Sequence, residues 1–108
     1  MKLLIMVLNY EEKINDLLQV MLEFELTDTF VLDGIGIENK LAKEVPLFSS
    51  LLQAKAGIPP YNRIVFSIIS NEDILPELIE VLKDVDIDYS KQNTGFYFTI
   101  KIDNLFIT

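Results

Sequence analysis

The residue types able to bind a ligand or do chemistry gather in two short stretches of this 108-residue chain. The first is Asp33-Gly34-Ile35-Gly36. Its glycines permit backbone conformations that a side chain forbids, and so let a ligand approach main-chain N–H groups; they also serve as turn residues closing a strand. The second is Asn93-Thr94-Gly95. Anion recognition needs such N–H groups together with cations, and Lys40, Lys43, Arg63 and Lys91 are the cations able to reach one, although each taken alone reads as surface charge. For acid–base work, Asp33, Tyr61 and Lys91 are the available groups. His and Cys are both absent, which removes imidazole bases, His-based triads, thiolate nucleophiles and zinc–thiolate sites. Asp84-Val85-Asp86-Ile87-Asp88 imitates the start of a calcium loop. Tyr89 stands where that loop needs Gly, and Gly95 where it needs a bidentate Glu, so these acids read as a solvated helix end and no metal is expected.

The charge balance narrows the partners. Seventeen acidic and nine basic residues give a formal net charge of −8, which repels phosphate backbones unless the cations cluster. The run Thr94-Gly95-Phe96-Tyr97-Phe98 is superficially like the aromatic strand of RNA-recognition motifs. That strand precedes the second helix and opens on a basic residue, whereas this one follows the helix, so its aromatics read as core and no nucleic-acid partner is expected. No stretch approaches the roughly 20 apolar residues of a membrane span. The apolar N-terminal segment lacks a small-residue cleavage site and reads as a strand rather than a signal peptide. A cytoplasmic protein of one domain, 1–108, without membrane insertion is the expectation.

The elements that position these stretches are legible in the hydrophobic pattern. Arg63 to Ser70 carries Ile, Val and Phe over both parities, and Leu3 to Leu8 is likewise apolar on both; such strands want apolar cover on both faces. Ile14, Leu17, Leu18, Met21 and Leu22 repeat at helical spacing and predict a helix over 10–24, with Asn9 as cap and Glu12 as its capping-box partner. Thr27 to Leu32 predicts a strand, and 37–44 shows no firm period and reads as loop. Pro46 opens a short helix near 46–55 with Leu47, Phe48, Leu51 and Leu52 on one side. A helix over 72–85 follows, its cap near Asp73 because Pro76 fits only a first turn. The last strand starts at Gly95, with Phe96, Phe98, Ile100 and Ile102 on one face, and Asn104 turns the chain into the apolar stretch Leu105 to Ile107.

A shift of 61 residues lays Met6-Val7-Leu8-Asn9 over Ser67-Ile68-Ile69-Ser70 and Ile14, Leu17, Leu18 and Val20 over Leu75, Leu78, Ile79 and Val81. Each half is strand, helix, strand. Two such units build an α+β domain, the ferredoxin-like βαββαβ sandwich, in which an antiparallel sheet carries two helices on one face and strands one and three lie in the middle. The middle strands are then the most apolar ones, and neither of the two helices covers their second face; the alternative cover within one chain is the 46–55 helix or the stretch after Asn104. Leaving Ile, Val or Phe in water instead of burying it forfeits roughly 1.5–3 kcal/mol each, so self-association is expected.

The order of several segments adds a resemblance. Ile5-Met6-Val7-Leu8-Asn9 followed by Asp33-Gly34-Ile35-Gly36 resembles the first strand and Gly-x-Gly loop entry of nitrogen regulatory PII-like proteins. Val45-Pro46-Leu47-Phe48-Ser49-Ser50-Leu51, Tyr61-Asn62-Arg63-Ile64-Val65-Phe66-Ser67 and Asn93-Thr94-Gly95-Phe96-Tyr97-Phe98 resemble a divergent PII-like branch more closely. The likeness spans nearly the whole chain and rests on order and spacing. It implies a homotrimer with its sheets facing inward, a small effector (an adenine nucleotide or another small anion) between neighbouring subunits, and a signalling loop between strands two and three. Carried onto this chain, the ligand candidates are Gly34, Ile35, Gly36, Lys40, Arg63, Lys91, Asn93, Thr94 and Gly95, and the partner-docking candidates are Leu47, Phe48, Leu51 and Leu52. Two departures count against nucleotide binding of the familiar kind: Ile37 and Glu38 replace basic and amide residues after Gly36, and 89–95 offers one Lys and one Gly. No Tyr lies within 36–58 for covalent modification. The expectation is a non-enzymatic regulatory module acting on a protein partner through 37–60. A small acid–base enzyme on the same fold, or a structural oligomer without ligand, is the alternative.

Overall fold

The computed structural model describes residues 1–45 and 61–108, apart from the side chains of Ala42 and Lys43. The expected helix near 46–55, with Leu47, Phe48, Leu51 and Leu52, lies outside the described residues. The elements run β1 (Lys2–Leu8), a 3-10 turn (Glu11–Lys13), α1 (Ile14–Glu23), β2 (Thr29–Ile35), α2 (Ile37–Glu44), β3 (Tyr61–Ile69), α3 (Ile74–Asp84) and β4 (Gly95–Lys101). The four strands form one sheet in the order β2-β3-β1-β4, with every neighbouring pair antiparallel. This is the ferredoxin-like arrangement that the repeat predicts, with the two most apolar strands at the centre.

The register assigns each side chain to a face. Leu4, Met6 and Leu8 of β1 lie beside Ser67, Val65 and Arg63 of β3. These β1 residues form the buried core with Leu17 and Met21 of α1 and Leu78 and Leu82 of α3. Both helices therefore cover this face, as their period requires. Ser67 is buried among apolar neighbours, and its hydroxyl is satisfied by Thr29 Oγ1 at 2.9 Å.

The repeat extends to how the helices stop. Glu25 (φ 60°) follows α1 and Asp86 (φ 63°) follows α3. Leu26 donates its N–H to Met21 O at 3.0 Å, and Ile87 to Leu82 O at 2.9 Å. Glu25 and Asp86 donate to Leu22 O and Lys83 O. Both ends are Schellman caps, which satisfy the last carbonyls and bury the following apolar residue. Leu26 and Ile87 are that residue, and both are buried. The Lys13 ammonium joins the halves by donating to Asp86 O at 2.6 Å.

Three stretches differ from the sequence expectation. Asn9 does not cap a helix: its backbone N–H donates to Thr94 O and its amide to Asn93 O. With Asn9 extending the β1–β4 pairing, the expected helix 10–24 opens as a 3-10 turn and becomes α-helical only at Ile14. β2 starts two residues later than expected and runs through Asp33, Gly34 and Ile35, because Tyr61, Asn62 and Arg63 supply a ladder for them. Residues 37–44 form α2 rather than loop. Lys40 donates its N–H to Gly36 O, and its ammonium pairs with Glu44 one turn on, local support that a mixed charge pattern conceals. α3 begins at Ile74 with Asp73 at the N-cap position, as expected, and Asn71 Oδ1 accepts the Asp73 N–H.

Candidate functional site

The two glycine-containing stretches lie at one end of the sheet, where β1 and β2 finish and β3 and β4 begin. Asp33 pairs with Arg63, Arg63 with Leu8, and Leu8 with Gly95. This row runs from one sheet edge to the other, three strand spacings or about 14 Å. Within one subunit Gly34–Gly36 and Asn93–Gly95 are therefore level but at opposite edges.

Most of the groups expected to meet a ligand are already engaged. The Arg63 guanidinium pairs with the Asp33 carboxylate across β2 and β3. The Lys40 ammonium sits 2.6 Å from Glu44 Oε1. Lys91 is exposed and makes no ion pair among the described residues. Gly34 lies under the Asn62 side chain, which an added Cβ would strike, whereas Gly36 starts α2 and has space for a Cβ.

The β4 lead-in is held by its own backbone demands. Asn93 adopts φ 68° and Gly95 φ 132°. A Cβ at Gly95 would collide with the Val7 carbonyl, so the close approach of β1 requires glycine there. Thr94 is buried, its hydroxyl donating to Asp88 O at 2.8 Å. The Asp88 carboxylate accepts from the Ser90 hydroxyl and N–H at 2.6 and 2.9 Å; these two bonds, the hydroxyl's foremost, hold its pKa below the ordinary carboxylate range. Asp84, Asp86 and Asp88 thus build a helix cap and a turn. Among the described residues no acidic cluster is arranged to hold a metal ion. Of the enzyme candidates, Asp33 is taken by Arg63 and Tyr61 faces Ile35 in the ladder. Tyr89 lies outside the candidate set: burial pushes its pKa up, and its hydroxyl donates to Val7 O at 3.2 Å.

The largest feature is the sheet face opposite the helices. It carries Leu3, Ile5 and Val7 from β1 and Ile64, Phe66 and Ile68 from β3, as the doubly apolar central strands predict. The edge strands extend it with Phe30 and Leu32 of β2 and Phe96, Phe98 and Ile100 of β4. Phe30, Phe96 and Ile100 are 65%, 57% and 49% exposed, and Phe96 and Phe98 stack with ring centroids 6.2 Å apart. Asn62 and Gly34 finish the face, and no position on it is charged. The β4 aromatics, expected in the core, lie on this outer side, while the less apolar Tyr97 and Thr99 pair with Met6 and Leu4 on the helix side. Sequence alternation marks the two parities of β4; only the pairing with β1 says which one turns from the helices. Without cations this face cannot neutralise a phosphate backbone.

No protein-family model matches the chain, and no curated protein is similar to it. Among the described residues no helix is long and apolar enough to cross a membrane.

Proposed function

We propose that the chain is a non-enzymatic PII-like regulatory module: a homotrimer that packs its helix-free sheet faces inward and takes a small effector between subunits. The apolar, chargeless face that all four strands build is the observation carrying this reading. A contiguous patch of this size on a soluble domain marks an interface, and only another apolar surface compensates for it. In a ring, the β2 edge of one subunit meets the β4 edge of the next. Gly34–Gly36 and Asn93–Gly95, level but about 14 Å apart in one subunit, then face each other across the boundary. Among the described residues Lys91 is the cation left to attract an anion there, an adenine nucleotide or another small anion. The response passes to a protein partner through residues 37–60, of which α2 is the described part.

Pairing of Arg63 and Lys40 within the chain favours a second reading, a structural oligomer without ligand. Two measurements test the readings, and the second separates them. Light scattering at micromolar concentration is expected to give three times the subunit mass, and a monomer overturns both. Thermal-shift screening against nucleotides and small anions is expected to raise the melting temperature for the true effector class, since a ligand at one hundred times its Kd adds about 2.7 kcal/mol. A trimer that no such ligand stabilises supports the ligand-free oligomer.

A further inference from the structure

We propose that the stretch following β4 links neighbouring copies, with Phe106 of one subunit seated in the groove between α1 and β2 of the next; this rests on the ring described above. Phe106 is 88% exposed, flanked by exposed Leu105 and Ile107. Three adjacent apolar side chains in water cost as much, residue for residue, as those of the open sheet face, and they lie outside it in sequence. The groove has a volume of about 220 Å³ and is walled by Leu18, Leu22, Leu26 and Val31 over a floor of Met21. No charged residue lines it, and Leu22 is 62% exposed on its rim. A cavity of roughly 150 Å³ accepts benzene, so there is room for a phenylalanine ring.

Position favours a second copy over the chain's own stretch. Thr29, at the start of β2, pairs with Ser67, Ser67 with Leu4, and Leu4 with Thr99 near the end of β4. Groove and stretch therefore leave the same end of the sheet, from opposite edges. A rotation axis running along the strands keeps that end level in every copy and brings the β4 edge of one beside the β2 edge of the next. Ile102 still donates its N–H to Met1 O at 3.2 Å, which anchors the departure point. Four further residues to Phe106 span at most about 14 Å, enough to cross one boundary. Within a subunit α3 stands in the way, since Leu75 closes a small pocket with Lys2, Ile69 and Thr99 on the β4 side of the sheet.

The absence of cysteine makes the test clean. The double variant Leu22→Cys/Phe106→Cys, oxidised at micromolar concentration, is expected to run as covalent dimers and trimers on a non-reducing gel. Phe106→Cys paired with Glu77→Cys on α3 is the control and is expected to stay uncoupled. Separately, Phe106→Ser is expected to keep the subunit's circular dichroism and weaken the oligomer by about tenfold or more. A trimer that forms no Leu22–Phe106 bridge, or bridges only within one chain, overturns the docking and leaves the ring standing. A monomeric wild-type protein overturns both.

Discussion

At the scale of single residues, the candidate site is largely a set of structural necessities. Gly95 illustrates this. Its φ of 132° and the closeness of the Val7 carbonyl make any side chain costly, because that region is essentially reserved for glycine at about 1–3 kcal/mol. Gly95→Ala is expected to lower the unfolding free energy by at least about 2 kcal/mol once overlap with β1 is added. A urea midpoint unchanged from wild type would refute this. Asp88 gives a pH signature instead. Ser90 holds its carboxyl below the ordinary value, roughly 3.9 in an unfolded chain. A folded-state pKa below the unfolded one means that the contribution is complete above about pH 4 and disappears as pH falls through the folded value. Asp88→Asn is expected to flatten that acid limb in melting temperatures taken from pH 2 to 6, and an unaltered limb would count against the Ser90 bonds as its source. Sequence marks Asn93, Thr94 and Gly95 as special, because glycine and asparagine tolerate positive φ. What it leaves open is the cause, since both a ligand and a neighbouring strand ask for the same residue types. The pairing of Gly95 with Leu8 supplies the strand.

At the scale of elements, the two halves share more than their periodicity. α1 and α3 each end in a Schellman cap whose left-handed residue is acidic, Glu25 in one half and Asp86 in the other. A non-glycine residue in that conformation costs roughly 1–2 kcal/mol, and glycine returns part of it as unfolded-state entropy. Glu25→Gly and Asp86→Gly are each expected to stabilise the domain by about 0.5–1 kcal/mol, a rise of roughly 2–8 °C in melting temperature. A fall in both would show that these carboxylates make contacts worth more than the strain. The helices and central strands are legible in sequence because long periodic segments dominate their own burial. Boundaries are less so. Asn9 carries a capping side chain yet spends it on Asn93, a contact 84 residues away that no local pattern announces. β2 likewise continues through Gly34 because β3 offers partners there, and α2 draws on short-range support such as the Lys40–Glu44 ion pair.

At the scale of the whole molecule, the sheet inverts the usual economy of a two-layer domain. β4 turns Phe96, Phe98 and Ile100 away from the helices and keeps Tyr97 and Thr99 toward them. The outer face was legible for the central strands, whose residues are apolar on both parities. For the edge strands it was not, because alternation alone does not say which parity meets the helices. Phe66 lies near the middle of the face, beside Phe30 and Ile5. Phe66→Asp places an unpaired carboxylate there, at a cost of several kcal/mol if the face is closed. It is expected to yield folded monomers in light scattering, and an intact trimer would exclude this face as the seam.

The chargeless face has a further consequence. Every copy brings a formal net charge of −8, and none of it lies on the outer sheet face. Long-range repulsion therefore opposes assembly while short-range dehydration drives it. Dissolved electrolyte screens the first within about 10 Å at 0.1 M, and excluded ions such as sulfate strengthen the second. Added salt would accordingly tighten this oligomer, the reverse of its effect on a seam built from ion pairs.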